Sequence, residues 1–130
     1  MEFKIDTKDI YTVLSPVTDR LDENLTASIE KKWTELVGEG AKNLIVDLQA
    51  CTSSAPGVMD SLTQLHETFY TEECSLVFTH LQADVKRQLQ DHEYFDAVNF
   101  VPTMVEAVDI ISMEMLERDL LAEEEGDTEE

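Results

Sequence analysis

Basic residues are scarce in this chain. Nine lysines and arginines stand against 29 aspartates and glutamates, a formal net charge of −20 over 130 residues. A field of that sign repels phosphate backbones and anionic lipid headgroups, so it argues against nucleic-acid or membrane partners and for solubility and basic ones. Glycine is also scarce: with four in total there is neither a GxxxxGK nor a GxGxxG loop to cradle a phosphate. The two cysteines, Cys51 and Cys74, make neither a disulfide framework nor a zinc pattern, and reduced core thiols in a cytoplasmic protein are expected. No apolar run approaches the ~18 residues needed to span a bilayer. The opening MEFKIDTKDI lacks the basic start and apolar core of a signal peptide.

Catalytic patterns are missing too. His66, His80 and His92 share no HExxH-type spacing, so no metal site is expected. Ser53, Ser54 and Ser61 offer hydroxyls without a GxSxG elbow, and loop serines more often satisfy turn backbone than attack substrates. Asp47 sits near the carboxyl end of an apolar strand, where open α/β sheets border their binding crevices. The plainer reading is that it bonds a neighbouring loop backbone. No catalytic residue and no cofactor are expected.

What the chain does contain is alternation of strand and helix patterns. Phe3, Ile5, Tyr11 and Val13 alternate with polar residues around Thr7-Lys8-Asp9, a hairpin signal broken by Ser15-Pro16. Asp22 stands as an N-cap before a stripe of Leu25, Ile29, Trp33, Leu36 and Val37, closed by Gly38 and Gly40. Asn43 to Leu48 reads as a strand covered on both faces. A helix from about Gly57 to Tyr70 carries Val58, Leu62, Leu65 and Phe69, and a strand follows at Ser75 to Thr79. A short helix over Asp84 to Asp91 comes next, then a strand over Ala97 to Val101 stopped by Pro102. Thr103 and Glu106 have capping-box spacing before a last helix whose stripe is Val105, Val108, Ile111 and Met115, extended by Leu116 and Leu120. The order β-β-α-β-α-β-α-β-α implies one α/β domain with a mixed sheet of about five strands and four to five helices. Residues 1–121 form that domain, and the acidic 122–130 is expected to be a disordered tail.

The stretch with the strand, a Ser-rich turn and a helix start, Asn43 to Leu65, leaves backbone N–H groups at a surface corner. Laid out this way, the chain resembles the STAS domains, the anti-sigma-factor antagonists, from roughly Phe3 to Met115. The resemblance rests on Leu21-Asp22, Leu44-Ile45-Val46-Asp47-Leu48, Val85-Lys86-Arg87 with Leu89, Phe95, and Glu106-Ala107. It implies a non-catalytic, cytoplasmic, bacterial signalling module in transcription regulation. The implied partner is a protein, an anti-sigma factor of kinase-like type. In that family the strand leads into a turn reading Asp-Ser-Ser-Gly-Leu, and a serine at the helix start is phosphorylated to release the partner.

Counted without gaps from Leu48, Ala55 falls at the family aspartate, Pro56 at the first serine and Gly57 at the phospho-acceptor. Glycine has no hydroxyl, so no phosphorylation is expected at that position. A three-residue shift would equate Ser53-Ser54-Ala55 with the motif instead, making Ser53 or Ser54 the acceptor, but Pro56 suits a first helical turn as it stands. The expected partner surface is Asp22, Ser53, Ser54, Ala55, Pro56, Gly57 and Asp60. The chain also departs from the family where Thr18 to Arg20 replace a glycine and where Glu93-Tyr94 replace Gly-Leu. A structural STAS subunit of a transporter or other assembly is the alternative role. The last helix holds more apolar residues than one inward stripe needs, including Ile110, Met113, Leu116, Leu120 and Leu121. A homodimer is one way to bury them; a helix covering the sheet edge is the other.

Overall fold

A computed structural model describes residues 1–128, with side chains through Glu123. Seven strands and four α-helices follow one another in the alternating order. They are β1 Phe3–Thr7, β2 Thr12–Pro16, β3 Arg20–Leu21, α1 Glu23–Gly38, β4 Asn43–Asp47, β5 Ser53–Ser54, α2 Val58–Thr71, β6 Ser75–Thr79, α3 Ala83–Leu89, β7 Phe100–Val101 and α4 Met104–Thr128. The main sheet has the order β1-β2-β4-β6-β7, antiparallel at β1 and parallel elsewhere, while β3 and β5 form a separate two-stranded ladder.

The parallel strands advance in one direction across the sheet, so the strand order never reverses. Without a reversal there is no topological switch point. Asp47 therefore borders no crevice of that kind: its carboxylate accepts the backbone N–H of Gln49 at 3.0 Å and lies 3.1 Å from His80 Nδ1.

Two cores separate the layers. The larger sets Leu14, Leu44, Val46, Leu76 and Phe78 of the sheet against the inner faces of α1 and α2. All four residues expected on the α2 stripe are buried, as are Leu25, Ile29, Trp33 and Leu36 of α1, whereas Val37 is exposed. The smaller core sets Val13, Ile45 and Val77 against Ala107 and Ile111 of α4. Val105, expected inward, points to solvent at 71% exposure because the helix turns its Ala107–Ile111 line to the sheet.

Pro16 does lie in a strand, opposite Phe3, but β2 pairs with β4 only through Leu14, so its missing donor falls past that ladder. Of the strand expected over Ala97 to Val101 only Phe100–Val101 forms, because Phe95–Ala97 is spent in a 3-10 turn that stacks Phe95 on Phe100 at 4.8 Å. α4 continues past Leu121, where the domain was expected to end, and the acidic tail expected over 122–130 falls mainly outside the described side chains.

Candidate functional site

The turn after β4 is held by the segment before α1. Asp19 C=O accepts the N–H groups of Thr52 and Ser53, and Leu21 C=O accepts that of Ala55 at 2.9 Å. Arg20 and Leu21 thereby pair in parallel with Ser53 and Ser54. Two-residue strands carry no periodic signal, so neither β3 nor β5 was legible in the sequence. Their pairing brings the start of α1 beside the start of α2. Asp22 is the N-cap of α1, accepting Leu25 N–H at 2.9 Å, the role its position before the apolar stripe indicated.

Gly57 is the N-cap of α2 and has φ +81°, a left-handed conformation that explains a glycine at this point. It makes no side-chain cap, and a Cβ added there would meet open space. Pro56, expected in the first helical turn, stands before it in the connecting turn, because the left-handed residue separates it from the helix. Asp60 lies in the first turn of α2, where a carboxylate suits the positive helix end, and its Oδ1 is 3.7 Å from His92 Nε2.

Ser53 and Ser54 lie in β5, ahead of the helix, and are half-buried. The Ser54 hydroxyl donates to Gln88 Oε1 of α3, and its backbone N–H donates to the same oxygen at 3.2 Å. Ser54 to Met59 together with Gln88, Leu89 and His92 line a shallow cleft of about 290 Å³. Gln88 and His92 were not foreseen as part of this surface, since only the folding of α3 over the corner brings them there. The seven residues expected to meet a partner thus share one corner of the molecule, built where α1 and α2 begin.

Cys51 lies beneath this corner, fully buried, its thiol 3.5 Å from Thr18 C=O. Burial, with Asp19 and Asp22 adding negative charge, pushes its pKa from 9.0 up to about 11. Cys74, half-buried, is raised mainly by burial as well, with Arg118 opposing. A thiol-specific reagent at pH 8 is expected to label Cys74 first and to reach Cys51 only on unfolding. Equal labelling rates in the folded protein would contradict this burial. The raised pKa also has a sign for stability: above about pH 9 the unfolded chain ionises Cys51 while the folded one keeps the proton, so its contribution falls as pH rises towards about 11.

Among the described residues, no three His, Cys, Asp or Glu side chains converge as metal ligands, and no helix is long and apolar enough to cross a membrane.

By sequence the chain matches no family profile and no curated protein. By structure it is similar to a proposed anti-sigma factor antagonist from Thermotoga maritima, with TM-score 0.69, 15% identity, and coverage of 85% of this chain and 94% of that one. It is also similar to a variant of RsbS from Moorella thermoacetica, with TM-score 0.67, 18% identity, and coverage of 91% and 99%. A third similarity is to the murine Solute Carrier 26 family member A9 anion transporter, with TM-score 0.66, 13% identity, and coverage of 83% of this chain but 18% of the transporter. These likenesses are of fold, and each spans more than four-fifths of this chain. The chain has the STAS fold, the fold of the anti-sigma-factor antagonists.

Proposed function

We infer that this protein is a non-catalytic, protein-binding STAS module whose docking surface is the corner at the start of α2, and that it is not switched by phosphorylation there. The observation that carries this reading is Gly57: the residue at the N-cap of α2 has no hydroxyl and adopts a conformation that favours glycine. The partner is a protein of the anti-sigma-factor, kinase-like type, met in the cytoplasm. Asp22, Ser53, Ser54, Ala55, Pro56, Gly57 and Asp60 form its footprint. A partner fitted to this neutral turn would be repelled by a new negative charge at its centre.

Gly57→Asp tests this by placing a carboxylate at the N-cap, with Gly57→Asn as the neutral control of nearly equal shape. Both residues tolerate left-handed backbone better than most and both cap helices. Each is expected to change stability by about 1 kcal/mol or less. In affinity purification from the native cell, the asparagine variant should retain the wild-type partner and the aspartate variant should lose it. Retention by both would remove the corner from the interface.

The likeness to one part of the murine anion transporter, 18% of that chain, favours a second reading, a structural STAS subunit of a membrane assembly. Co-purification with a membrane transporter, in place of a kinase-like protein, would select it.

A further inference from the structure

Among the described residues, twelve large apolar side chains stand exposed, and five of them lie on α4: Val105, Met113, Leu116, Leu120 and Leu121. At 3.6 residues per turn, Val105, Met113, Leu116 and Leu120 fall within about 80° of one another, on the side opposite the buried Ala107 and Ile111. Asp109 interrupts this line early, but Met113, Leu116 and Leu120 follow at spacings of three and four, the seam spacing of packed helices. These three are 61%, 60% and 52% exposed. α4 therefore has two apolar faces, of which the sheet uses one.

The charges around the outer face have one sign. Glu106, Glu117 and Asp119 flank it, and Asp109 and Glu123 close its two ends. The helix has a single base, Arg118, and it is directed inward, donating to Ser75 Oγ at 3.0 Å and Asn43 Oδ1 at 3.2 Å. Arg118 is also the last side chain with a described bond to the sheet, and Leu120 and Leu121 beyond it are 52% and 59% exposed. A second copy of this chain would bring the same acidic rim against itself, like charge facing like charge. A helix with an apolar seam and basic flanks meets both the spacing and the charge.

We propose that the outer face of α4 is a second docking surface, separate from the α2 corner, and that it receives a basic amphipathic helix of a partner protein. The apolar seam supplies the attraction and the acidic rim selects the sign of the partner and speeds encounter.

The probe is a synthetic fluorescent peptide helix with leucines spaced three and four apart and lysines at the remaining positions. Measured by anisotropy at physiological salt, the wild-type protein should bind it. The double variant Leu116→Glu, Leu120→Glu should bind at least about tenfold more weakly. A charge-matched control, Val37→Glu with Tyr70→Glu on the exposed sides of α1 and α2, should stay within about twofold. All substituted side chains are exposed or half-exposed, and circular dichroism melts confirm that each variant is folded. Equal weakening in both double variants would reduce the effect to bulk charge and overturn the proposal, as would no binding by the wild type. A micromolar homodimer in light scattering, abolished by the α4 double variant, would also overturn it by giving the surface to a second copy.

Discussion

Replacing Asn43 by leucine is expected to destabilise the protein by about 3 kcal/mol, although the two side chains are similar in size. Asn43 opens β4 on the face shared with Ile45 and is 1% exposed. Its Nδ2 donates to Ile10 C=O at 2.8 Å, and its Oδ1 accepts the Ser75 backbone N–H at 3.0 Å and Arg118 Nη2 at 3.2 Å. One side chain thus ties the hairpin, the start of β6 and α4 together. Leucine would leave the buried Ser75 backbone N–H unpaired at a cost of about 1–3 kcal/mol, would release the part-buried Ile10 carbonyl, and would strip Arg118 of one of its two acceptors. For a domain of this size the melting temperature should fall by roughly 10 °C. A loss below about 1 kcal/mol in urea would show that water enters and takes over these bonds.

The second large effect is expected at the contact between α1 and α2. Trp33 and Phe69 stack with ring centroids 4.7 Å apart and planes 28° from parallel, and Phe69 is fully buried. Phe69→Ala should cost about 4 kcal/mol, since it removes a buried ring and leaves a cavity between two helices that cannot collapse far. Trp33→Phe should cost less than about 2 kcal/mol. Among the described residues the buried indole N–H has no partner, so removing it recovers desolvation that offsets part of the lost packing. Chemical denaturation followed by circular dichroism gives both values. Equal losses would mean that the indole N–H has found a bound water.

Much of this architecture was legible in the sequence because its signals are long. The α2 stripe of Val58, Leu62, Leu65 and Phe69 spans three turns, and the apolar run of β4 could only be a strand covered on both sides. Short elements were not legible. The Arg20–Leu21 and Ser53–Ser54 ladder exists because Asp19 and Leu21 carbonyls meet loop donors about thirty residues away, and nothing local announces that. Part of the inward line of α4 was misplaced for another reason: Val108, Ile111 and Met115 do pack on the core, but Val105, Leu116 and Leu120 lie exposed, because the helix carries apolar residues on both faces and periodicity alone cannot say which meets the sheet. The corner itself was readable through Pro56 and Gly57, while Gln88 and His92 entered it only through the packing of α3.

The most direct test of an unswitched docking corner is the mass of the protein in its native cell. Lysate is separated by size into partner-bound and free pools, and the intact mass of the chain is measured in each. The expected result is one and the same unmodified mass in both pools, because Gly57 offers no acceptor and the Ser54 hydroxyl is engaged by Gln88. A free pool one phosphate heavier than the bound pool, with the group mapped to Ser53 or Ser54, would contradict it.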